Sequence, residues 1–327
     1  MADLTLSLLL ANYNHAEYVG GALAQLVGQT QPPLEVVVVD DGSTDDSLAV
    51  IDAVAAREPL VRVVRSPRNQ GVCAAYNLAL REARGDFVWL FACDDHAEPD
   101  LVAEVGRLLA RHPEAGVVCW DPAGLDPATG QVLPEPRGWS ATPVYLDPPQ
   151  TALALARKGK LGGTSVVFRR DELLAVGGFR PELRWYSDWF AATVIALRRG
   201  LVYRPGVLAA FRVRAGSYSQ RGHRDWAALR VVVPALLDLL DSPGLADVRE
   251  AFRATGELRM IGWRGLCLAL TRRRSWPWIT RRMARGVAID GVLHLKAALF
   301  PWLPAPLLAA YRRLTRLWRR PPKPMVG

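Results

Sequence analysis

The run Glu35-Val36-Val37-Val38-Val39-Asp40-Asp41-Gly42-Ser43-Thr44-Asp45-Asp46-Ser47 holds a strand, a turn and a helix start in close succession. Four consecutive valines cannot lie half in water, so they read as a central strand buried on both faces. Asp-Asp-Gly-Ser ends that strand, because Gly42 accepts backbone angles that a side chain forbids. Thr44, Asp45 or Asp46 can cap the next helix, expected from about Ser47 to Arg57. Carboxylates at the carboxyl end of a parallel strand face the crevice in which open α/β sheets bind ligands. Taken alone, the stretch is equally an acidic turn with a good cap.

The flanking sequence repeats the pattern. Leu4 to Ala11 reads as a strand ending in Asn12-Tyr13-Asn14-His15. A helix is expected from about Ala16 to Thr30, with Tyr18, Ala22, Leu26 and Val27 inward, and Pro32-Pro33 stops it. Downstream, Leu60 to Val64 is a third strand closed by Ser66-Pro67-Arg68-Asn69-Gln70-Gly71. Val72 to Arg84 is helical, Gly85-Asp86 turns, and Phe87 to Ala92 is a fourth strand. Such alternation of strand and helix implies an α/β fold, a Rossmann-like and mostly parallel sheet flanked by helices.

Asp94-Asp95 follows the fourth strand, and Pro99 suits the first turn of a helix running to about Arg111. A second acidic pair thus falls at a strand's carboxyl end. Two such pairs on neighbouring strand ends would repel unless a cation or hydrogen-bonding ligand lies between them. Adjacent carboxylates suit a hard divalent ion that keeps waters and binds substrate phosphates; a solvated acidic loop is the alternative. The GxGxxG fingerprint is missing, which counts against a dehydrogenase.

Half of the 327 residues are hydrophobic, ample for a large core plus an appendage. The four cysteines, Cys73, Cys93, Cys119 and Cys267, form no CxxC pair and read as free thiols of a reducing compartment. Neither a basic leading segment nor a membrane-spanning apolar run is legible, so neither signal peptide nor spanning helix is expected. The net charge of +9 divides unevenly: residues 249–327 carry 17 Lys/Arg against 3 Asp/Glu, leaving 24 against 29 for residues 1–248. A mildly acidic body therefore bears a strongly basic tail.

The stretch from Leu6 to Asp100 resembles the nucleotide-binding half of a family 2 glycosyltransferase with the A-type fold. Its matching pieces are Ala11-Asn12-Tyr13-Asn14, Asp40-Asp41-Gly42-Ser43, Asn69-Gln70-Gly71 with Asn77, Gly85-Asp86, and Cys93-Asp94-Asp95. The resemblance implies that the first two pieces hold the nucleoside base, with Asp41 as the base contact. Asn69, Gly71 and Asn77 would lie near the nucleotide. Asp94 would serve the ribose or a metal, and Asp95 the metal, Mg²⁺ or Mn²⁺. One departure is Ala92, where many members carry an Asp two positions before the residue equivalent to Asp94.

Val117 to Trp120 is a further strand, and 121–149 reads as an irregular surface excursion. The run Gly162-Gly163-Thr164-Ser165, the strand after it, and Gly177-Gly178-Phe179 resemble the family's acceptor half, making Gly163 and Thr164 candidate acceptor contacts. In Trp185-Tyr186-Ser187-Asp188-Trp189, Asp188 occupies the position of the acidic residue that deprotonates the acceptor hydroxyl in the family. Ser187 stands where Glu is usual, and Asp188 as a plain cap for a helix Trp189–Arg199 is the alternative. Trp185 and Trp189 can stack on sugars or simply pack. Tyr203 to Phe211 reads as a last strand. Arg212 and Arg214 after it can reach the diphosphate, since guanidinium forks suit phosphate oxygens; a solvated basic loop is the alternative, and His223 is a weaker candidate nearby.

The division implied is a catalytic domain over 1–224, split at 115/116 into nucleotide and acceptor halves, and a helical basic extension over 225–327. Helices are expected at Trp226–Leu240, Leu245–Thr271 and Trp278 to about Leu299, punctuated by arginine clusters and by Trp263, Trp276, Trp278, Trp302 and Trp318. Apolar-plus-Trp faces beside arginines suit an anionic membrane interface; an ordinary soluble helical subdomain is the alternative. No nucleic-acid recognition motif accompanies the arginines.

The resemblance implies an inverting, metal-dependent hexosyltransferase using a nucleotide-diphosphate sugar. Its acceptor would be a glycan or lipid-linked sugar of the cell envelope, met by a cytoplasmic enzyme peripheral to the inner face of the membrane. A catalytically inactive nucleotide-sugar-binding or scaffold protein is the rival reading.

Overall fold

The structure, a computed structural model, describes residues 4–213 and 218–289. Arg214 and everything beyond Ile289, including Trp302 and Trp318, lie outside the described residues.

The amino-terminal half alternates as expected. It runs β1 (Leu6–Asn12), α1 (Ala16–Val27), β2 (Glu35–Asp40), α2 (Ser47–Ala55), β3 (Val61–Arg65), α3 (Val72–Glu82) and β4 (Phe87–Ala92). A two-residue β5 (His96–Ala97) and α4 (Leu101–Arg111) follow. Then come β6 (Val117–Trp120), β7 (Ala123–Leu125), β8 (Val132–Pro134), β9 (Val144–Leu146), α5 (Pro148–Lys158), β10 (Val166–Arg169), α6 (Arg170–Ala175) and α7 (Ser187–Arg199). The acceptor half closes with β11 (Leu201–Arg204) and β12 (Ala209–Arg212), after which α8 (Tyr218–Arg224), α9 (Trp226–Leu240), α10 (Arg249–Thr255) and α11 (Gly262–Leu270) follow.

Eight strands form one mixed sheet in the order β3-β2-β1-β4-β10-β6-β11-β9. Pairing is parallel from β3 through β4 and between β6 and β11, while β10 and β9 run antiparallel to their neighbours. The valine strand is buried along its whole length. Val37 and Val39 join the core on one face, Val36 and Val38 that on the other. One face carries α1, α2 and α4; the other carries α3 and α7, with α5, α9 and α10 packed outside them.

β2 and β4 are not neighbours, because β1 lies between them. The expected face-to-face repulsion of the two acidic pairs is relieved in that way, with Asn12 of β1 between them. The expected strand Tyr203–Phe211 is two strands in two sheets, since Pro205 offers no N–H and Gly206 turns at φ +89°. The 121–149 excursion contains three short strands. It is pinned by buried Asp121, which accepts from Arg137 N, Tyr203 Oη and Gly206 N at 2.7–2.8 Å.

The extension's described helices do not stand apart from the rest. Leu229, Val232, Leu236, Phe252, Trp278 and Met283 are buried in the same core as α3 and α7. The expected helix Leu245–Thr271 is broken where Gly256 and Gly262 adopt φ of +70° and +65°. No helix among the described residues is long and apolar enough to cross a membrane.

Candidate functional site

The carboxyl ends of β1 and β2 meet in register, Asn12 opposite Asp40. Asn12 Nδ2 donates to Asp40 Oδ1 at 2.8 Å, and its Oδ1 accepts from the Cys93 thiol at 3.5 Å. Asp40, only 3% exposed, also accepts from the Ser43 amide (3.0 Å) and hydroxyl (2.6 Å). Ser43 Oγ in turn accepts from Asn14 N, and Asn14 Oδ1 accepts from Thr44 N. Asp41 is likewise buried and accepts from the Gln70 and Gly71 amides at 2.8–3.1 Å. These two carboxylates therefore brace the loops instead of repelling a second acidic pair: each is satisfied by N–H or O–H donors.

Gly42 makes the turn possible. At φ +74° an added Cβ would fall 2.7 Å from the Arg68 backbone, so the 40–43 and 66–71 loops approach as only glycine permits. Asn69 and Gly71 lie exposed on that second loop, with Asn69 Oδ1 accepting from Gly71 N. Tyr13, which follows Asn12, is 40% exposed. The helix start is held by Asp45, which accepts from both Ser47 N and Ala16 N.

Asp94 is half-buried and Asp95 buried after β4. The Thr164 hydroxyl donates to Asp95 Oδ2, and Arg212 N donates to Oδ1 at 3.1 Å. Arg212 Nε donates to the Asp94 carbonyl at 3.0 Å, with its guanidinium over the Tyr18 ring. Burial first, and the neighbouring Asp94 charge, push the Asp95 pKa up to about 7. A carboxylate so penalised for its charge is one that a cation would stabilise.

Two carboxylates, one of them half-buried, fit an ion that retains waters and takes its remaining ligands from substrate phosphates. They do not fit a closed protein cage: no group of three or more His, Cys, Asp or Glu among the described residues could hold a metal.

The turn Gly163–Ser165 joins this pair to the other candidate. Gly163 N donates to Asp188 Oδ2, while the next residue, Thr164, donates to Asp95. Trp89 Nε1 fixes the turn from the sheet by donating to the Thr164 carbonyl at 2.9 Å. Asp188 sits in the first turn of α7, half-buried, and desolvation raises its pKa from the usual carboxylate value. The N-cap of α7 is Tyr186, so Asp188 lies inside the helix and is not its cap, and the hydrogen bond from Gly163 comes from a separate segment.

Several expected residues take other places. Asn77 clasps the Phe179 backbone, donating to its carbonyl at 2.7 Å and accepting from its N–H at 2.8 Å. Its amide is spent on joining α3 to the 177–179 turn, not on a nucleotide. Trp189 is 2% exposed and donates to Glu257 Oε2, so it offers no face to a sugar. Thr164 holds Asp95 and Gly163 holds Asp188, which makes both supports of carboxylates. Trp185 stays half-buried against Tyr186, Tyr218 and His223.

Two further residues, Tyr76 and Glu257, belong to the surroundings of the site without a clear mark in the sequence. Tyr76 Oη donates to the Phe91 carbonyl at 3.0 Å, and its pKa is raised by burial and by the nearby Cys93, Asp95, Asp188 and Asp94. It therefore lies within electrostatic reach of all three site carboxylates. Glu257, fully buried, accepts from Trp189 Nε1 (3.1 Å) and Lys160 N (2.9 Å) and pairs with Arg259 at 2.7 Å. Only the inward i, i+4 spacing of Tyr76 with Leu80 hints at the first; nothing local marks the second.

Residues 7–160 match the family described as Glycosyl transferase family 2. The chain is 38% identical over 96 residues to a chondroitin synthase of Escherichia coli, covering 29% of this chain and 14% of that one. Among solved structures it superposes on S. aureus TarS 1–349 in complex with UDP-GlcNAc. The TM-score is 0.60 at 19% identity, covering 79% of this chain and 72% of that one. It also superposes on a mannosyltransferase from Pyrobaculum calidifontis in complex with GDP-Man and Mn²⁺, TM-score 0.59 at 20% identity, covering 98% and 89%. Residues 7–160 thus carry a family 2 glycosyltransferase domain, and the chain shares the A-type fold of these structures.

Proposed function

We propose that the protein transfers a hexosyl group from a nucleotide-diphosphate sugar to a hydroxyl acceptor with inversion at the anomeric carbon. The observation that carries this reading is the Gly163-Thr164 turn, whose consecutive residues hold Asp188 and Asp95. A base and a diphosphate-side carboxylate are thereby kept a fixed short distance apart, as a single displacement needs. Asp188 takes the proton of the acceptor hydroxyl as the bond to the sugar forms, a task suited to a carboxylate whose pKa is raised. The loops braced by Asp40 and Asp41 present Ala11, Tyr13, Asn14, Asn69 and Gly71 to the nucleotide. Arg212 lies beside Asp94 and Asp95, where a diphosphate would need positive charge.

Asp94 and Asp95 would hold Mg²⁺ or Mn²⁺, which when bound supplies charge neutralisation to the leaving diphosphate. The likeness to a mannosyltransferase in complex with GDP-Man and Mn²⁺ supports that choice. A polysaccharide synthase among the relatives supports a surface glycan or glycolipid as acceptor. Exposed Trp263, Leu270 and Trp276, with Arg264 over the Trp263 ring at 4.6 Å, support a peripheral site at the inner, cytoplasmic face of an anionic membrane. Trp278 takes no part in this, being core and bonded to Asp241.

The test is Asp188→Asn, assayed against a panel of nucleotide sugars. Donor binding should persist, while transfer should fall by about 10²–10⁴-fold. Transfer at the wild-type rate would pass the base role elsewhere. Donor binding without turnover in the unaltered protein would favour a binding or scaffold role.

A further inference from the structure

A second recess opens three residues before the base. It is a cavity of about 180 Å³ lined by Arg184, Trp185, Tyr218, Arg221, Gly222 and Asp225. Its wall is aromatic: the Trp185 and Tyr218 rings meet edge to face at 6.1 Å. The Trp185 ring lies directly on the α8 backbone, where a Cβ on Gly222 would come within 2.3 Å of it. Its rim is cationic. Arg184 and Arg221 are exposed, and neither guanidinium has an ion-pair partner among the described residues. The one carboxylate there, Asp225, is committed to capping α9 through the Ala227 and Ala228 amides at 2.9 and 3.2 Å. It leaves the arginine charge uncancelled.

The recess and the base are close neighbours. Cys73 of α3 donates to the Arg184 carbonyl at 3.7 Å, and its thiol, already raised by burial, is raised further by Asp188 to about 11. Arg184 also holds a left-handed backbone, φ +49° and ψ −117°. A residue with a side chain keeps such angles only where its surroundings enforce them, and such sites cluster at ligand clamps. On the far side of the Gly163-Thr164 turn lie Asp94, Asp95 and Arg212, the donor's diphosphate side. None of these residues lines the recess, which leaves it free for the acceptor of the proposed transfer.

An aromatic wall suits the apolar face of a sugar ring, and paired guanidinium forks suit phosphate oxygens. We propose that this recess binds a phosphate or diphosphate ester carried by the acceptor, so that the enzyme glycosylates a phosphorylated glycan or a lipid-phosphate-linked sugar. The inference rests on Asp188 as the base of the proposed transfer.

The test uses the full chain with UDP or GDP and Mn²⁺ saturating the donor side. Calorimetry compares glucose 6-phosphate with glucose. Co-sedimentation compares phosphatidylcholine vesicles carrying polyprenyl phosphate with vesicles of matched charge carrying phosphatidylglycerol. At least one phosphate probe should bind tenfold or more tightly than its comparator, and Arg221→Glu should abolish that preference. Arg184→Gly, which removes the other guanidinium and relieves the backbone, should weaken it separately. Preference for the soluble probe alone identifies a phosphorylated glycan; preference for polyprenyl phosphate identifies a lipid-linked acceptor. No preference for either probe, or a preference that survives both substitutions, overturns the proposal. Failure of UDP and GDP to bind at all would instead overturn the donor reading.

Discussion

Glu257→Ala is the substitution with the largest consequence for the site from a residue that touches no substrate. Glu257 is fully buried, pairs with Arg259 at 2.7 Å, and accepts from Trp189 Nε1 and Lys160 N. Alanine leaves a guanidinium only 19% exposed without its counter-charge and orphans two N–H donors. Breaking a buried pair from one side costs about 3–5 kcal/mol. The two orphaned donors are part of that cost and not an addition to it, since each group is counted once. At roughly 2–4 °C per kcal/mol for a domain of this order, the melting temperature should fall on the order of 10 °C.

The damage should also reach catalysis. Trp189 adjoins Asp188, and Lys160 lies three residues before Gly163, the donor to Asp188. Glu257→Gln keeps an acceptor for one N–H and should lose only about 1–3 kcal/mol. Urea unfolding of the three proteins, followed by transfer assays well below each melting point, separates stability from positioning. An alanine variant within about 1 kcal/mol of wild type and equally active would refute the account of this carboxylate as the link between extension and base.

Asp95→Ala should weaken metal-dependent donor binding and abolish transfer in a protein that remains folded; undiminished transfer in chelator would remove the metal from the scheme. Trp263→Ala with Trp276→Ala, both at exposed positions, should lower binding to anionic vesicles, and wild-type binding should fall with salt; unchanged partitioning would leave a soluble helical subdomain. Burial, then Lys160, depress the His223 pKa to about 4 from the ordinary 6.5. The folded state therefore binds fewer protons, so stability should be full above pH 6.5 and decline as pH falls towards 4. His223→Phe should flatten that part of the decline in urea midpoints, and an identical pH profile would count against it. Gly42→Ala, forced to φ +74° against the Arg68 backbone, should destabilise and impair nucleotide binding together.

A chain ending near Asp225 would lose more than a basic tail. It would strip Leu229, Leu236 and Phe252 from the main core and remove Glu257 from Trp189. The basic composition marked a change of surface at that point, but surface charge says nothing of which helix face is buried. That is why the tail's arginines were legible and its share in the core was not.

What the sequence determined by itself follows from short-range rules. An all-valine strand must be covered on both faces, and Asp-Gly turns must end strands, so β1 to β4, their helices and the loops at their carboxyl ends were readable locally. Asp188 was found because its surroundings match a known pattern. What only the tertiary structure decided are contacts between residues far apart in the chain: Thr164 with Asp95, 69 residues away, and Trp189 with Glu257, 68 away. Periodicity places a side chain on a face of its helix without naming what that face meets. Asn77 could thus face a nucleotide or the Phe179 backbone, and Asp40 a ligand or Asn12, until packing fixed the partner. A buried polar group takes whichever donor or acceptor the fold brings within reach, because leaving it unpaired costs more than most single contacts return.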